Sequence, residues 1–294
     1  MRRYHFTNVS RICTALMLLI FFSGCSSIPI GKYEALDDST KQLLEKTSDT
    51  YTRIEKLQRY FVVVSAPNST ITVSYFKPEI DGQSYDIAPE LRFRENALEV
   101  MAKYTTLLSV LSSKDYQTDV DKASQSLAGS LKNLADTSVA GVDTKKVAGI
   151  IATLTDVVGK QIIDHKRADA LRTAMDASQD DIFSLSTLIV GSNTKIKKYV
   201  GQMRNRFIAH ANAARPPYAS LNRVASDLNT AQLLAEIDEI DSSLDLMSTA
   251  IAKIPDAHKE IRTSLDKKGS TVESLQGLIQ EAQRASKLYK SLGQ

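Results

Sequence analysis

Acid–base or metal chemistry needs titratable side chains that converge, and this chain offers few. Its histidines are His5, His165, His210 and His258. His165 and Asp169 stand four residues apart, a spacing that puts two metal-ligating groups on one helical face, yet two ligands do not complete a site. His165 also continues an apolar stripe through Ile162, which reads as a core or boundary position. His258 lies in the charged run Asp256-Ala257-His258-Lys259-Glu260 and is expected to be exposed. There is no phosphate-cradling Gly-x4-Gly-Lys, no His-Glu-x-x-His, no Gly-x-Ser-x-Gly and no paired cysteine motif. Two cysteines build neither a disulfide framework nor a cysteine-rich zinc site. The expectation is a protein without catalytic centre, cofactor or metal, whose function resides in its surface.

Cys25 is the residue with the most specific chemistry. Arg2, Arg3 and Arg11 form a positive leader, and Ile12 to Phe22 is an uncharged apolar run of 11 residues, too short to cross a bilayer as a helix. This is the pattern of a secretion signal. Phe22-Ser23-Gly24-Cys25 follows, and it resembles the lipobox of bacterial lipoprotein precursors, with Phe in place of the usual Leu. The resemblance covers residues 1–26. It implies that residues 1–24 are removed, that Cys25 is acylated with palmitate-type chains on its sulfur and then on its new amino group, and that Cys13 leaves with the signal. Each buried methylene contributes about 0.8 kcal/mol, so three chains hold the protein permanently. Ser26 stands where an Asp would favour retention in the inner membrane, which implies the periplasmic face of the outer membrane. Residues 25–31 form a short tether, and the six after Cys25 span about 20 Å at most. The folded part, residues 32–294, must therefore sit close to the membrane.

The periodicity of that part predicts an all-α fold, an elongated antiparallel bundle of about seven helices. Tyr33, Leu36, Thr40, Leu43, Thr47, Tyr51, Ile54, Leu57 and Phe61 recur at three and four, predicting a helix over 32 to about 60. Phe61-Val62-Val63-Val64 is β-branched, Ile71, Val73 and Tyr75 alternate, and Asp81-Gly82 is a turn pair, so a small β-hairpin is expected over about 61–88. Pro89 opens a helix with a stripe from Leu91 to Leu111, and a second follows from Lys114 to Leu134. Asp143 reads as an N-cap between the stapling residues Val142 and Val147, before the apolar face Val147, Ile150, Ile151, Leu154, Val157, Val158 and Ile162. Ala140 to Ile163 also carries a sharper reading, a membrane-inserting hairpin like those of helical pore formers, which Asp156, Lys160, Lys145 and Lys146 oppose.

A coiled-coil-like seam runs through Ile182, Leu185, Ile189, Ser192, Ile196, Tyr199, Met203, Phe207 and His210, stops at Pro216-Pro217, and resumes as Ile237, Ile240, Leu244, Met247, Ile251 and Ile254. A bend or break is expected near Pro255. From Ile182 to Ser226 there are bases and no acid, and from Asp227 to Ala252 acids and no base. Folding back at the prolines is expected to set Arg206 level with Asp227, Lys197 with Glu236 and Lys195 with Asp238, which fixes register more than stability. A final helix follows Ser270. After residue 24 the charges balance at 34 of each sign, so no global attraction draws nucleic acid or anionic lipid to the chain.

Arg204-Asn205-Arg206-Phe207-Ile208-Ala209-His210 resembles the Arg, polar residue, then His signature of HEPN ribonucleases. That resemblance spans seven residues and implies that Arg204, Asn205 and His210 act on RNA from two protomers. The residues themselves read as a seam histidine beside an acid-facing arginine, and a secreted lipoprotein meets no cellular RNA. The sequence as a whole therefore reads as a non-enzymatic, lipid-anchored interaction protein that binds a protein partner or its own copies and takes no nucleic acid.

Overall fold

The computed structural model describes residues 28–65, 79–80, 83–84, 87–137, 144–161, 167–213, 221–267 and 272–292. Among them the fold is all-α, with seven helices: α1 (Ile30–Ser65), α2 (Ile87–Ser112), α3 (Tyr116–Asp136), α4 (Thr144–Gln161), α5 (Arg167–Ala213), α6 (Leu221–Ser264) and α7 (Glu273–Leu292). Strand pairing among the described residues is a two-residue antiparallel ladder, Glu79 with Ser84 and Ile80 with Gln83. Ile71, Val73, Tyr75 and the turn Asp81-Gly82 lie outside the described residues. Phe61 to Ser65 belong to α1 and not to a strand. The β-branched run is overridden because Phe61 continues the seam of α1 and meets Phe207 edge-on, ring centroids 5.2 Å apart.

Four long helices make the centre. α1 packs against α2 and α6, and α5 packs against α2 and α6. Their polar contacts give the directions. Tyr33 reaches Met175 and Tyr51 reaches Asn193, both across 142 residues, so α1 and α5 run parallel. Asp37 meets Thr105 and Thr106 while Ser48 meets Glu95, so α2 runs antiparallel to α1. Arg172 meets Asp266 and Lys197 meets Asp245, so α6 runs antiparallel to α5. α7 lies over α6 and α1, whereas α3 packs on α2, and α4 on α3 and α5. The result is a stack of layers with the four-helix core in the middle.

The seams expected on α1 and α6 are buried throughout, and that of α5 is buried from Ile182 to Phe207 except at one position. There Asn193 is buried and Ser192 only partly so, and His210 is half-buried beyond the last core residue. α5 begins at Arg167, well before the expected seam, and its 47 residues span about 70 Å.

Pro255 does not end α6, which continues to Ser264. A proline frees the carbonyl four residues before it, here that of Ile251. Ser186 on α5 donates its hydroxyl to that carbonyl at 2.8 Å, so the backbone group is satisfied by the neighbouring helix.

The register of α5 on α6 also departs from expectation. Lys197 pairs with Asp245 at 2.7 Å and Asp241 at 3.4 Å, and Arg204 pairs with Asp238 at 3.2 Å. α6 is thus shifted by about one and a half to two and a half turns. Glu236, the expected partner of Lys197, takes Arg53 of α1 instead, together with Glu239. Charge matching between two helices could not anticipate a third that competes for the acids. The register is held at the other end by Asp176 and Asp266. Arg262 grips Asp176 with two hydrogen bonds of 2.7 and 2.8 Å, and Arg172 and Arg262 both bind Asp266. Those two cations hold the Asp266 carboxyl below the usual carboxylate range, Arg262 contributing most.

Candidate functional site: a sealed polar network and an open helical tip

Two features separate from the apolar packing. The first is a chain of hydrogen bonds across the core. Tyr104 Oη of α2 lies 2.5 Å from Ser178 Oγ on α5 and 2.9 Å from His258 Nε2 on α6. His258 Nδ1 lies 2.7 Å from Gln179 Oε1, and Gln179 Nε2 donates to the Pro255 carbonyl at 3.2 Å. A neutral His258 fits these links, Tyr104 donating to His258 Nε2 and the Nδ1 proton going to Gln179, while the one Ser178 hydroxyl proton is shared between Tyr104 Oη and the Ala174 carbonyl 2.7 Å away. His258 is only 1% exposed, which corrects the expected surface position. The seam explains it, since Ile254, His258, Ile261 and Leu265 continue the three-and-four spacing past the proline, all buried. Burial pushes the imidazole down to about 3, against a smaller opposing pull from Asp176. Tyr104 is shifted upward by the same cause. A tyrosine–histidine pair can relay protons, but these groups are closed off by the helices around them. A second chain runs alongside: Tyr51 donates to Asn193 at 2.9 Å, Asn193 to Ser248 at 3.0 Å, and Ser248 to the Leu244 carbonyl. Both chains fix which helix faces meet.

One buried cation is less well provided. Arg94 on α2 is 2% exposed and ion-pairs with Glu90 one turn earlier, while its Nε and one terminal nitrogen have no partner.

The second feature is the far end of the α5–α6 pair. Leu233 and Leu234 of α6 still pack on the core, and before them nearly every residue from Val224 to Gln232 is exposed. Exposed large apolar side chains among the described residues are Tyr60 at 49%, Phe183 at 60%, Val224 at 56% and Leu228 at 59%. Three of these four lie at this end, with Tyr60 stacked on Phe207, centroids 5.8 Å apart. α1 begins at the opposite end, where Arg167 of α5 donates to the Ser113 carbonyl at 2.8 Å and Glu260 accepts from the Ser274 and Leu275 N–H groups of α7 at 3.0 and 3.2 Å.

The remaining sequence candidates fall as follows. Cys25, His165, Val142 and Asp143 lie outside the described residues, and Asp169 pairs with Arg172 at 2.7 Å. Of the HEPN-like residues, Arg204 is engaged by Asp238, Asn205 is exposed, and Arg206 lies over the Phe61 ring at 5.9 Å. Arg204 and His210 project from different sides of α5, six residues being well past one turn. On α4, Val147, Ile150 and Leu154 are buried against the bundle and Lys145, Lys146 and Asp156 face outward. Among the described residues no group of three or more His, Cys, Asp or Glu could hold a metal ion, and no helix is long and apolar enough to cross a membrane. Comparison of the chain with protein-family models, curated proteins and solved structures returns no match.

Proposed function

We propose that this is a lipid-anchored helical interaction protein, held at Cys25 to the periplasmic face of the outer membrane and offering the far end of its bundle to a protein partner. One observation carries the reading. Exposed apolar surface gathers at the end of the helices remote from the start of α1, while polar groups in the interior are mostly paired with one another. A contiguous exposed apolar surface marks an interaction site more often than a scattered one does. The bundle is elongated and antiparallel with coiled-coil-like pairing of α5 and α6, and the ladder at residues 79–84 belongs to a β-hairpin beside the same end. Such an arrangement suits a stand-off device, with α5 alone reaching about 70 Å from the anchored end. The experiment is metabolic labelling with a clickable palmitate analogue. Labelled, processed, membrane-bound protein is expected from the wild type, and unlabelled precursor from Cys25→Ala. An unlabelled wild type, or normal processing of the variant, would remove the anchor from this account.

A further inference from the structure

The solvent face of α6 changes character along its length. In the second half it is largely polar, through Asp238, Ser242, Asp245, Thr249, Asp256 and Lys259. The same face one and two heptads earlier holds Val224, Leu228, Ala231 and Ala235, all exposed. Their spacing of four, three and four is that of a helix-packing seam, so the shape that fits it is another helix. No charge falls on the seam, and the two charged residues beside it, Arg223 and Asp227, face each other along the helix at 3.9 Å.

The order of side-chain sizes selects the occupant. Large residues stand at one end of the seam and small ones at the other. If two such segments run antiparallel about a two-fold axis between Asn229 and Thr230, Val224 meets Ala235 of the second copy and Leu228 meets its Ala231. Large then opposes small at every level, which lets both helices approach without voids or overlap. A parallel pair would stack leucine on leucine and leave a gap between alanines. An isologous contact of this kind closes on itself as a dimer. We propose that Val224–Ala235 of α6 is a self-association seam that binds a second copy of this chain antiparallel. This deepens the reading as an interaction protein and rests on it. Four side chains per copy fall well short of the about 1,600 Å² buried in a standard stable interface, so the association is weak and concentration-dependent. The two anchored ends would lie about 100 Å apart, at opposite ends of the pair, so two copies held in one leaflet meet through the seam only when they lie along the membrane and not as upright neighbours.

The test uses the full chain purified in detergent, with sedimentation velocity over a range of concentrations and oxidative cross-linking. Wild type is expected to shift from monomer to dimer as concentration rises. Leu228→Glu and Ala231→Leu are expected to weaken that shift at least tenfold while circular dichroism and melting stay unchanged, because both positions are exposed. A mixture of Val224→Cys and Ala235→Cys proteins is expected to cross-link, and neither alone. A wild type that stays monomeric, a dimer indifferent to both seam variants, or self-cross-linking of Val224→Cys would each overturn the seam. If the wild type is monomeric yet Leu228→Glu abolishes cross-linking to another protein in intact cells, the interaction reading stands and self-association falls.

Discussion

The middle of the bundle and the far end of its longest helices are built from the same kind of seam and put to opposite uses. Around Tyr104 and His258 the three-and-four spacing is covered on every side, and even the carbonyl freed by Pro255 finds a hydroxyl. Around Leu228 the same spacing faces water. The sealed seam costs little to maintain because burial of its apolar groups outweighs ordering, at about 25 cal/mol per Å². The open seam recovers nothing within the monomer. Stability thus belongs to the middle, and the exposed end adds little to it within the monomer.

Loss of a partner from the buried ion pair should break the sealed region most. Glu90→Ala leaves Arg94 charged, buried and unpaired, and is expected to destabilise by about 3–5 kcal/mol in chemical denaturation. Replacing both residues, Arg94→Met with Glu90→Leu, is expected to recover most of that loss, which would assign the effect to the orphaned charge. Acid should act next. His258 is held down to about 3 when folded and titrates near 6.5 when unfolded. Its neutral form is therefore fully accommodated above about pH 6.5, and stability is lost as pH falls toward the folded value, at about 1.4 kcal/mol per pH unit. His258→Gln is expected to be less stable at pH 7 but to show a flatter decline between pH 6.5 and 4. The exposed pairs come last. Lys197→Glu is expected to cost no more than about 1 kcal/mol, with partial recovery by Asp245→Lys and none by Glu236→Lys. Recovery by the latter would return α5 and α6 to the register expected from charge alone.

Most of the fold was legible because apolar periodicity is written locally. Every α1 seam residue from Tyr33 to Phe61 is buried, and so are Leu91 to Leu111 at the expected positions of α2. What escaped depends on contacts between helices. His258 reads as a surface residue from its charged neighbours and from the proline before it, although Ile261 and Leu265 continue the seam. Asp176, which holds the register through Arg262, lies upstream of the acid-free stretch that begins at Ile182. Phe61 to Ser65 read as a strand by composition, and Phe207 across the bundle decides for helix. The open seam at Val224 and Leu228 was missed for a different reason: periodicity says which residues share a face, not whether another helix covers it.

Residue-resolved hydrogen exchange under native conditions tests the division most directly. Amides of α5 and α6 near Asn193, Met247 and Ile251 are expected to exchange only through global unfolding, and those from Val224 to Ala235 through local opening that is many times faster and independent of denaturant. Equal protection of the two stretches in a dilute, monomeric sample would contradict the account, because the far end would then belong to the same cooperative core.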